Sequence, residues 1–550
     1  GVTRFRRRRR RYRVVEEDMR VQADICIVGS GAGGGVLARE LTRHPEIERV
    51  VLLERGGYYE GEDFNQRELD MLRFLWKGGA LTFNQDFTIL VGQGETLGGT
   101  TVINHAICID TPPIVLQEWA EMGAGGWMTD RTAFTRALEE VKGEIHVSPV
   151  HEQQINRNNR ILRRGAEELE IVPEGHGINP RNCFDCRECG FSHLGCHYDA
   201  KQSTLVTYIP EALDTGKCAI FCDAWAHRVR HEGGRATGVD AVLRTRRGED
   251  RHRLRVDAKV VVVAAGAVNS TALLLRSKLP DPHRQLGQGL SLHPSPLVIA
   301  EFDDEVRAFE GIPMSYHVSE YSVLRGVPGI LPEAPPVTSE GPGDQRGGFM
   351  LESVFPNLGQ FAAFLPGMGA EHKALMGRLA HFAAAGILIR DTPKGVVKVN
   401  RSGDPVVEYA LDEHDRRNLS NGMRTLAELY FEAGAQRVIL THRDRNIIER
   451  EAYLKNRDVI KTRIRPDNCG QQQLYLGSVH PQGGNRLGED PARSVVDEHC
   501  FHHQVRNLAV CDASVFPTAT GVNPMLTIMG MAKRTAEYIQ VHWNELASGG

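Results

Sequence analysis

One glycine pattern constrains this chain more than any other feature. In ADICIVGSGAGGGVLARELTR, residues 23–43, an apolar run meets Gly29-x-Gly31-x-x-Gly34 and continues into a helical pattern. The spacing predicts a buried strand, a tight turn and a helix. Gly29 serves the turn, Gly31 leaves bare backbone for a ligand, and Gly34 lets helix and strand touch. The helix start then aims its N–H groups at a pyrophosphate. A second strand, RVVLLERGG, ends at Glu54, 20 residues past Gly34. A carboxylate there accepts hydrogen bonds from an adenosine ribose and repels a 2′-phosphate. Together the two segments predict a Rossmann-like unit for an ADP-containing dinucleotide, FAD or NAD.

A later glycine run helps to choose. VGQGETLGGTTVINHAI, residues 91–107, sets Gly98 and Gly99 among Thr96, Thr100 and Thr101. This is a second backbone cradle, which the ribityl chain and tricyclic ring of a flavin need and a nicotinamide rarely does. Residues 218–242 read as strand, turn and strand. Residues 256–277 read as strand, glycine turn at Gly266 and helix. Residues 507–539 read as short strand, loop and long helix. These segments, far apart in sequence, look like pieces of one nucleotide domain.

Bulk properties narrow the remaining classes. With 550 residues the chain can form two to four domains. Lys+Arg 66 against Asp+Glu 70 gives a net charge of −4, so nothing global steers it to nucleic acid or acidic lipid. No apolar run is long enough to span a bilayer. The exception to the charge balance is GVTRFRRRRRRYRVV, where Arg6 to Arg11 repel one another. Residues 1–20 are therefore expected to be a disordered arm, either solvated or in peripheral contact with an anionic membrane. No apolar h-region follows, so the expected location is cytoplasmic, with membrane association left open.

Eleven cysteines are too few for a disulfide scaffold at this length. Seven are scattered, several within apolar runs. The other four form Cys183-x-x-Cys186-x-x-Cys189-x6-Cys196, a spacing that can hold zinc or an iron–sulfur cluster, or clip a loop as disulfides or free thiols. A cluster would favour a dehydrogenase that passes electrons onward.

At this point the sequence resembles the glucose–methanol–choline (GMC) flavoprotein oxidoreductases, and within them the branch of cholesterol oxidases and bacterial long-chain alcohol oxidases. The resemblance rests on Gly29 to Gly34, Gly98-Gly99-Thr100-Thr101 with Asn104, Ala264-Ala265-Gly266-Ala267, His480-Pro481-Gln482-Gly483-Gly484, Asp512-Ala513-Ser514 and Gly521-Val522-Asn523-Pro524. It implies an α/β fold: a Rossmann-like FAD-binding domain assembled from 21–110, 218–298 and 471–545. An antiparallel-sheet, α+β substrate domain from 111–217 and 299–470 would be inserted in it. It further implies FAD, covalent or not, with its ring near Gly99 and Asn104, and with Asp512, Ala513, Asn523, Pro524 and Met525 against it. Val229 would give backbone contacts to the adenine. By the same resemblance His480 is the active-site histidine and Asn523 its polar companion.

Physical chemistry supports those two roles. Oxidising an alcohol removes a hydroxyl proton and sends a hydride to flavin N5; histidine is the side chain suited to that proton near neutral pH. Asn523 can orient the alcohol oxygen without titrating. His105, beside the flavin loop, is either structural or a covalent attachment point.

Residues 347–369, GGFMLESVFPNLGQFAAFLPGMG, are apolar and aromatic, and HKALMGRLAHFAAAGILI (372–389) reads as a helix that is apolar on most faces. Such a lining favours a lipophilic alcohol: sterol, terpenoid or long-chain. Glu352, the lone carboxylate in the first stretch, is a candidate second base or a satisfied structural group. Oxygen or another acceptor would take the electrons, and nucleic acid is not expected as a partner. Two other readings stay open. One is a flavin-bearing lyase on the same fold, as in hydroxynitrile lyases. The other is an interaction protein whose flavin is structural.

Overall fold

The computed structural model describes residues 17–173, 176–244, 249–322 and 348–548. The run Arg6 to Arg11 lies outside the described residues. Met19 and Arg20, expected in the arm, already belong to the first strand: Met19 pairs with Leu254, and Arg20 forms an ion pair with Asp257.

That strand, Met19–Val28, is the centre of a parallel sheet. It pairs with Val50–Leu53 on one side and with Asp250–Val263 on the other. Cys218–Phe221 extends the sheet beyond Val50–Leu53. Leu508–Val510 runs parallel to the last residues of Asp250–Val263. Because both faces are covered, these strands read as unbroken apolar runs, and Val260 to Val263 are fully buried. The first half of Asp250–Val263 instead pairs antiparallel with Arg235–Arg244, which turns back into Ala224–Glu232. The expected α/β fold class with a Rossmann-like sheet is what the structure has.

The helix Ala32–Thr42 follows the first strand and packs against the helix Met525–Val541. Two glycines of Ala32–Thr42 let its first turn lie tight against the ends of the neighbouring strands. A Cβ on Gly34 would sit 1.9 Å from the Gly29 carbonyl oxygen, and one on Gly33 would sit 2.0 Å from that of Cys511.

A second, six-stranded sheet is antiparallel throughout, in the order His317–Val318, Phe349–Ser353, Phe382–Ile389, Leu297–Glu301, Arg437–Leu440, Asn446–Glu449. Here the sequence reading of 372–389 as one helix is corrected. A helix occupies only Gly369–Met376, and FAAAGILI is a strand near the middle of the sheet. All eight of its residues are buried, so the run lacks both the helical and the alternating polar pattern. Gly386 and Leu388 face a large cavity, while Ile387 faces the helix Glu413–Glu432, where Gly422 leaves room for it.

The two sheets are joined where the chain crosses between them. Ile89–Val91 pairs with Leu476–Ser478. Ser295 and Gly477 exchange backbone hydrogen bonds of 2.8 and 3.0 Å, as do Ser291 and Gln482 at 2.7 and 2.9 Å.

Replacing Ile387 by alanine is expected to remove about 2–5 kcal/mol of stability, because the rigid strand cannot close the hole. The measurement is the thermal or denaturant midpoint, which should fall clearly.

Candidate active site

A cavity of about 640 Å³ lies between the two sheets and takes its walls from both. On the parallel-sheet side its wall is backbone. Gly29 has φ 99°, and a Cβ there would be 2.3 Å from the Ala264 oxygen. Gly31 faces Gly99 across the opening, and a Cβ on Gly99 would come within 2.9 Å of the Gly31 Cα. Three helices open on this cavity without a side-chain cap: Ala32–Thr42 at Gly31, Ala267–Arg276 at Gly266 and Met525–Val541 at Pro524. Their first-turn N–H groups are left for another acceptor, and their dipoles favour an anion.

Two carboxylates stand beside these openings. Glu54 accepts from the Ser30 N–H (3.2 Å) and hydroxyl (2.5 Å) and from the Gly56 N–H (2.8 Å). Burial nonetheless pushes it up to about 7. Asp512 accepts from the Gly266 N–H (3.0 Å), the Ser270 hydroxyl (2.5 Å) and the Ser514 N–H (2.8 Å), and burial raises it too. Bare glycine, uncapped helix starts and buried acceptors fit a long diphosphate ligand carrying ribose hydroxyls, as FAD does. Thr100, Asn104, Ala513 and Met525 line the same space. The Asn104 amide donates to the Met525 sulfur at 2.9 Å.

Three of the expected cofactor residues are elsewhere. Gly34 packs behind Gly29, and Gly98 (φ 92°) sits under Leu205 while its N–H donates to the Ser30 hydroxyl (2.9 Å). Val229 is fully buried away from the cavity, and its N–H is taken by the Ser277 hydroxyl at 2.8 Å. Ala224, Trp225 and Ala226, at the start of that strand, line the cavity instead. At roughly 3.3 Å per residue, Val229 has passed the opening.

On the antiparallel-sheet side the cavity gathers the expected reactive groups. Glu352, 1% exposed, accepts from the Asn523 amide at 3.4 Å. Its neighbour across the sheet is Gly386, where a Cβ would come within 2.9 Å of the Ser295 hydroxyl. Val522 packs on Met350 and Leu388 of the same sheet, which sets Asn523 beside Glu352. The Glu352 Oε1 and the Asn523 Oδ1 are buried without a hydrogen bond and can receive one from a ligand hydroxyl. Burial pushes Glu352 up to about 7 and His480 down to about 4. Near neutral pH the imidazole is therefore uncharged and able to accept a proton. The surrounding wall is apolar: Leu297, Met314, Val354, Phe364 and Leu388.

Sequence reasoning missed His293. Its ring meets that of His480 edge to face, centroids 5.6 Å apart at 86°, and it lines the cavity. The Gly521 N–H donates to its Nε2 at 3.3 Å, and the Gln482 amide lies 3.3 Å from the same nitrogen. Gln482 also accepts from the Thr520 N–H at 3.0 Å, so it links the His480 segment to the approach to Asn523. One signal was available, since His293-Pro294 repeats the His480-Pro481 pair.

His105 lines the cavity, contacts the Ser192 hydroxyl at 3.1 Å and rests on the His193 ring at 4.8 Å. Lys201, 3% exposed, donates to the carbonyls of Val102, Asn104 and Ser192 and so ties the cysteine loop to the cavity wall. The expected cluster of Cys183, Cys186, Cys189 and Cys196 does not converge. Among the described residues no three of His, Cys, Asp or Glu come together as metal ligands would. All eleven cysteines are free thiols. The loop spreads because Cys196 turns to the Lys201 N–H (3.4 Å) while Cys189 pairs with Gly311.

The descriptions of the GMC oxidoreductase family match residues 71–295 (N-terminal part) and 391–532 (C-terminal part). An uncharacterised GMC-type oxidoreductase of Mycobacterium tuberculosis is 32% identical over 523 residues, covering 94% of this chain and 75% of its own. The long-chain-alcohol oxidase FAO3 of Arabidopsis thaliana is 29% identical, covering 94% of this chain and 67% of its own. An alcohol dehydrogenase [acceptor] of Pseudomonas putida is 25% identical, covering 94% and 95%. Among solved structures, formate oxidase superposes with a TM-score of 0.66 at 14% identity, over 97% of this chain and 100% of its own.

Gly31 offers a clean test of the cradle. A Cβ there meets nothing nearer than 4.0 Å, so Gly31→Ala is expected to fold with an unchanged thermal midpoint in the flavin-free protein. Flavin occupancy, read as visible absorbance per protein, should nevertheless fall roughly tenfold or more, because the methyl fills the space of the ligand.

Proposed function

Given that the chain belongs to the GMC oxidoreductase family, we propose that it oxidises a lipophilic alcohol, sterol, terpenoid or long-chain, to the aldehyde or ketone. The observation that carries this reading is the meeting of His480, Asn523 and Glu352 on one apolar cavity that continues into a dinucleotide cradle. FAD, when bound, supplies the two-electron acceptor. The chain supplies binding, orientation and the management of one proton. Gly31, Gly266 and Pro524 present helix starts to the diphosphate, and Glu54 takes the ribose.

His480 accepts the hydroxyl proton of the alcohol. Its buried, neutral ring is ready as a base without first losing a proton. Asn523 holds the alcohol oxygen, with its amide fixed by Glu352. Glu352 is a second proton-handling group, poised by burial near neutral pH. The apolar wall favours a hydrocarbon-rich substrate over a sugar, which would leave its hydroxyls unpaired there. The relatives named long-chain-alcohol oxidases agree with that class. Relatives named oxidase and dehydrogenase both occur, so oxygen or another acceptor reoxidises the cofactor.

An anaerobic titration tests the reading: flavin absorbance is followed while cholesterol, a long-chain alcohol, a short alcohol and glucose are added in turn. Bleaching by a lipophilic alcohol alone is the expected result, and admitting air then separates oxidase from dehydrogenase. Bleaching by glucose alone overturns the substrate class. No bleaching with flavin bound moves the weight to a lyase.

Two variants report on the proton. His480→Ala should lose roughly 10²–10⁴-fold in kcat while retaining flavin. In the wild type, kcat/KM should rise with pH through about 7 as Glu352 loses its proton. Glu352→Gln should flatten that rise; a profile unchanged in this variant would remove Glu352 from the chemistry.

A further inference from the structure

The cysteine loop is a sequence motif that the proposed reaction leaves unused. Cys183 and Cys186 lie on a turn in which Asp185 takes a left-handed conformation (φ 55°), close enough for each thiol to shift the other's pKa, Cys186 downward and Cys183 upward. The Arg181 Nη1 donates to the Cys186 sulfur at 4.0 Å. The neighbouring Cys183 thiol and the Arg181 guanidinium favour the anionic form of Cys186 and leave the proton on Cys183. Both residues are partly exposed and flank Phe184, which is 65% exposed, so the turn is open to a small oxidant. Outside this loop, five of the other seven cysteines are buried.

We propose that Cys183 and Cys186 form a reversible dithiol–disulfide couple, closed by hydroperoxides and reopened by thiol reductants. The Cys186 thiolate attacks one oxygen of the peroxide and the O–O bond breaks. Hydroxide leaves and is protonated to water, and Cys186 becomes a sulfenic acid. The Cys183 thiol then attacks the Cys186 sulfur, the S–O bond breaks and a second water leaves. Overall the two thiols lose two electrons and two protons, and hydrogen peroxide is reduced to two waters. The couple lies close to the cavity: Arg181 also donates from Nε to the His105 carbonyl at 3.1 Å, and the Asn182 N–H donates to that of Ala106 at 3.1 Å.

The test treats the flavin-loaded protein with hydrogen peroxide, alkylates the remaining thiols and maps the peptides. Trypsin cuts after Arg181 and Arg187, so one peptide carries both cysteines. The expected result is a loss of about 2 Da in that peptide, with neither thiol alkylated, reversed by dithiothreitol. In Cys183→Ser, dimedone should trap a sulfenic acid at Cys186, and in Cys186→Ser the peptide should resist peroxide. Retention of both alkylated thiols in the wild type, with oxidation falling on Cys189 or Cys196, would overturn the assignment. So would zinc or iron bound one per chain in the wild type and lost in Cys186→Ser.

Discussion

Four backbone hydrogen bonds, exchanged by Ser291 with Gln482 and by Ser295 with Gly477, hold two distant stretches of chain side by side. Everything reactive depends on that join. One stretch carries His293 and the other His480, and the rings meet because the segments that bear them are paired. Leu297–Glu301, directly after the first stretch, enters the antiparallel sheet, and Leu476–Ser478 joins Ile89–Val91 next to the glycine loops. The join therefore sets the distance between the cofactor cradle and the substrate wall. Gln482 adds a side-chain bond to the Thr520 backbone, so the approach to Asn523 is held in the same frame.

The cavity so formed is dry enough to invert ordinary ionisation. Burial opposes charge on the substrate side, keeping His480 neutral and raising Glu352 to about 7. A neutral base and a protonated acid can then share an apolar space with an alcohol without the cost of an unpaired ion. The opposite side of the cavity is built for charge. There the helix starts at Gly31, Gly266 and Pro524 turn unpaired N–H groups inward. One cavity thus has an anion-seeking end and a charge-averse end, which is the polarity a dinucleotide with a flavin ring and a hydrocarbon substrate require.

Local features were legible in the sequence and long-range ones were not. The turn at Gly29 and the carboxylate at Glu54 depend on spacing within one strand–helix–strand unit, and spacing is what a sequence displays. His480 was readable only through the resemblance of His480-Pro481-Gln482-Gly483-Gly484 to a family motif, since its glycine-rich surroundings alone suit a turn histidine. Glu352 stood out as a lone carboxylate in an apolar run, although its contact with Asn523 required the two sheets to close on each other. His293 escaped because its meaning comes entirely from pairing with a distant segment. The run 382–389 was misread since a strand buried on both faces has no period to betray it. Val229 was placed three residues too far along its strand because the sequence does not say where a hairpin enters the cavity. The cysteine spacing suggested a metal, yet the loop directs its sulfurs to different partners.

The strand Asp250–Val263 changes neighbours midway, antiparallel to Arg235–Arg244 at first and parallel to Leu508–Val510 at its end. That last partner, together with the helix Met525–Val541 against Ala32–Thr42, comes from far downstream in the sequence. During synthesis the sheet edge at Val261 to Val263 must wait, apolar and unpaired, while the whole intervening sequence emerges. High contact order of this kind slows folding and exposes intermediates to aggregation. The nucleotide cradle thus begins to form at Gly29 but is completed only when this distant segment pairs, so cofactor capture has to follow that late contact.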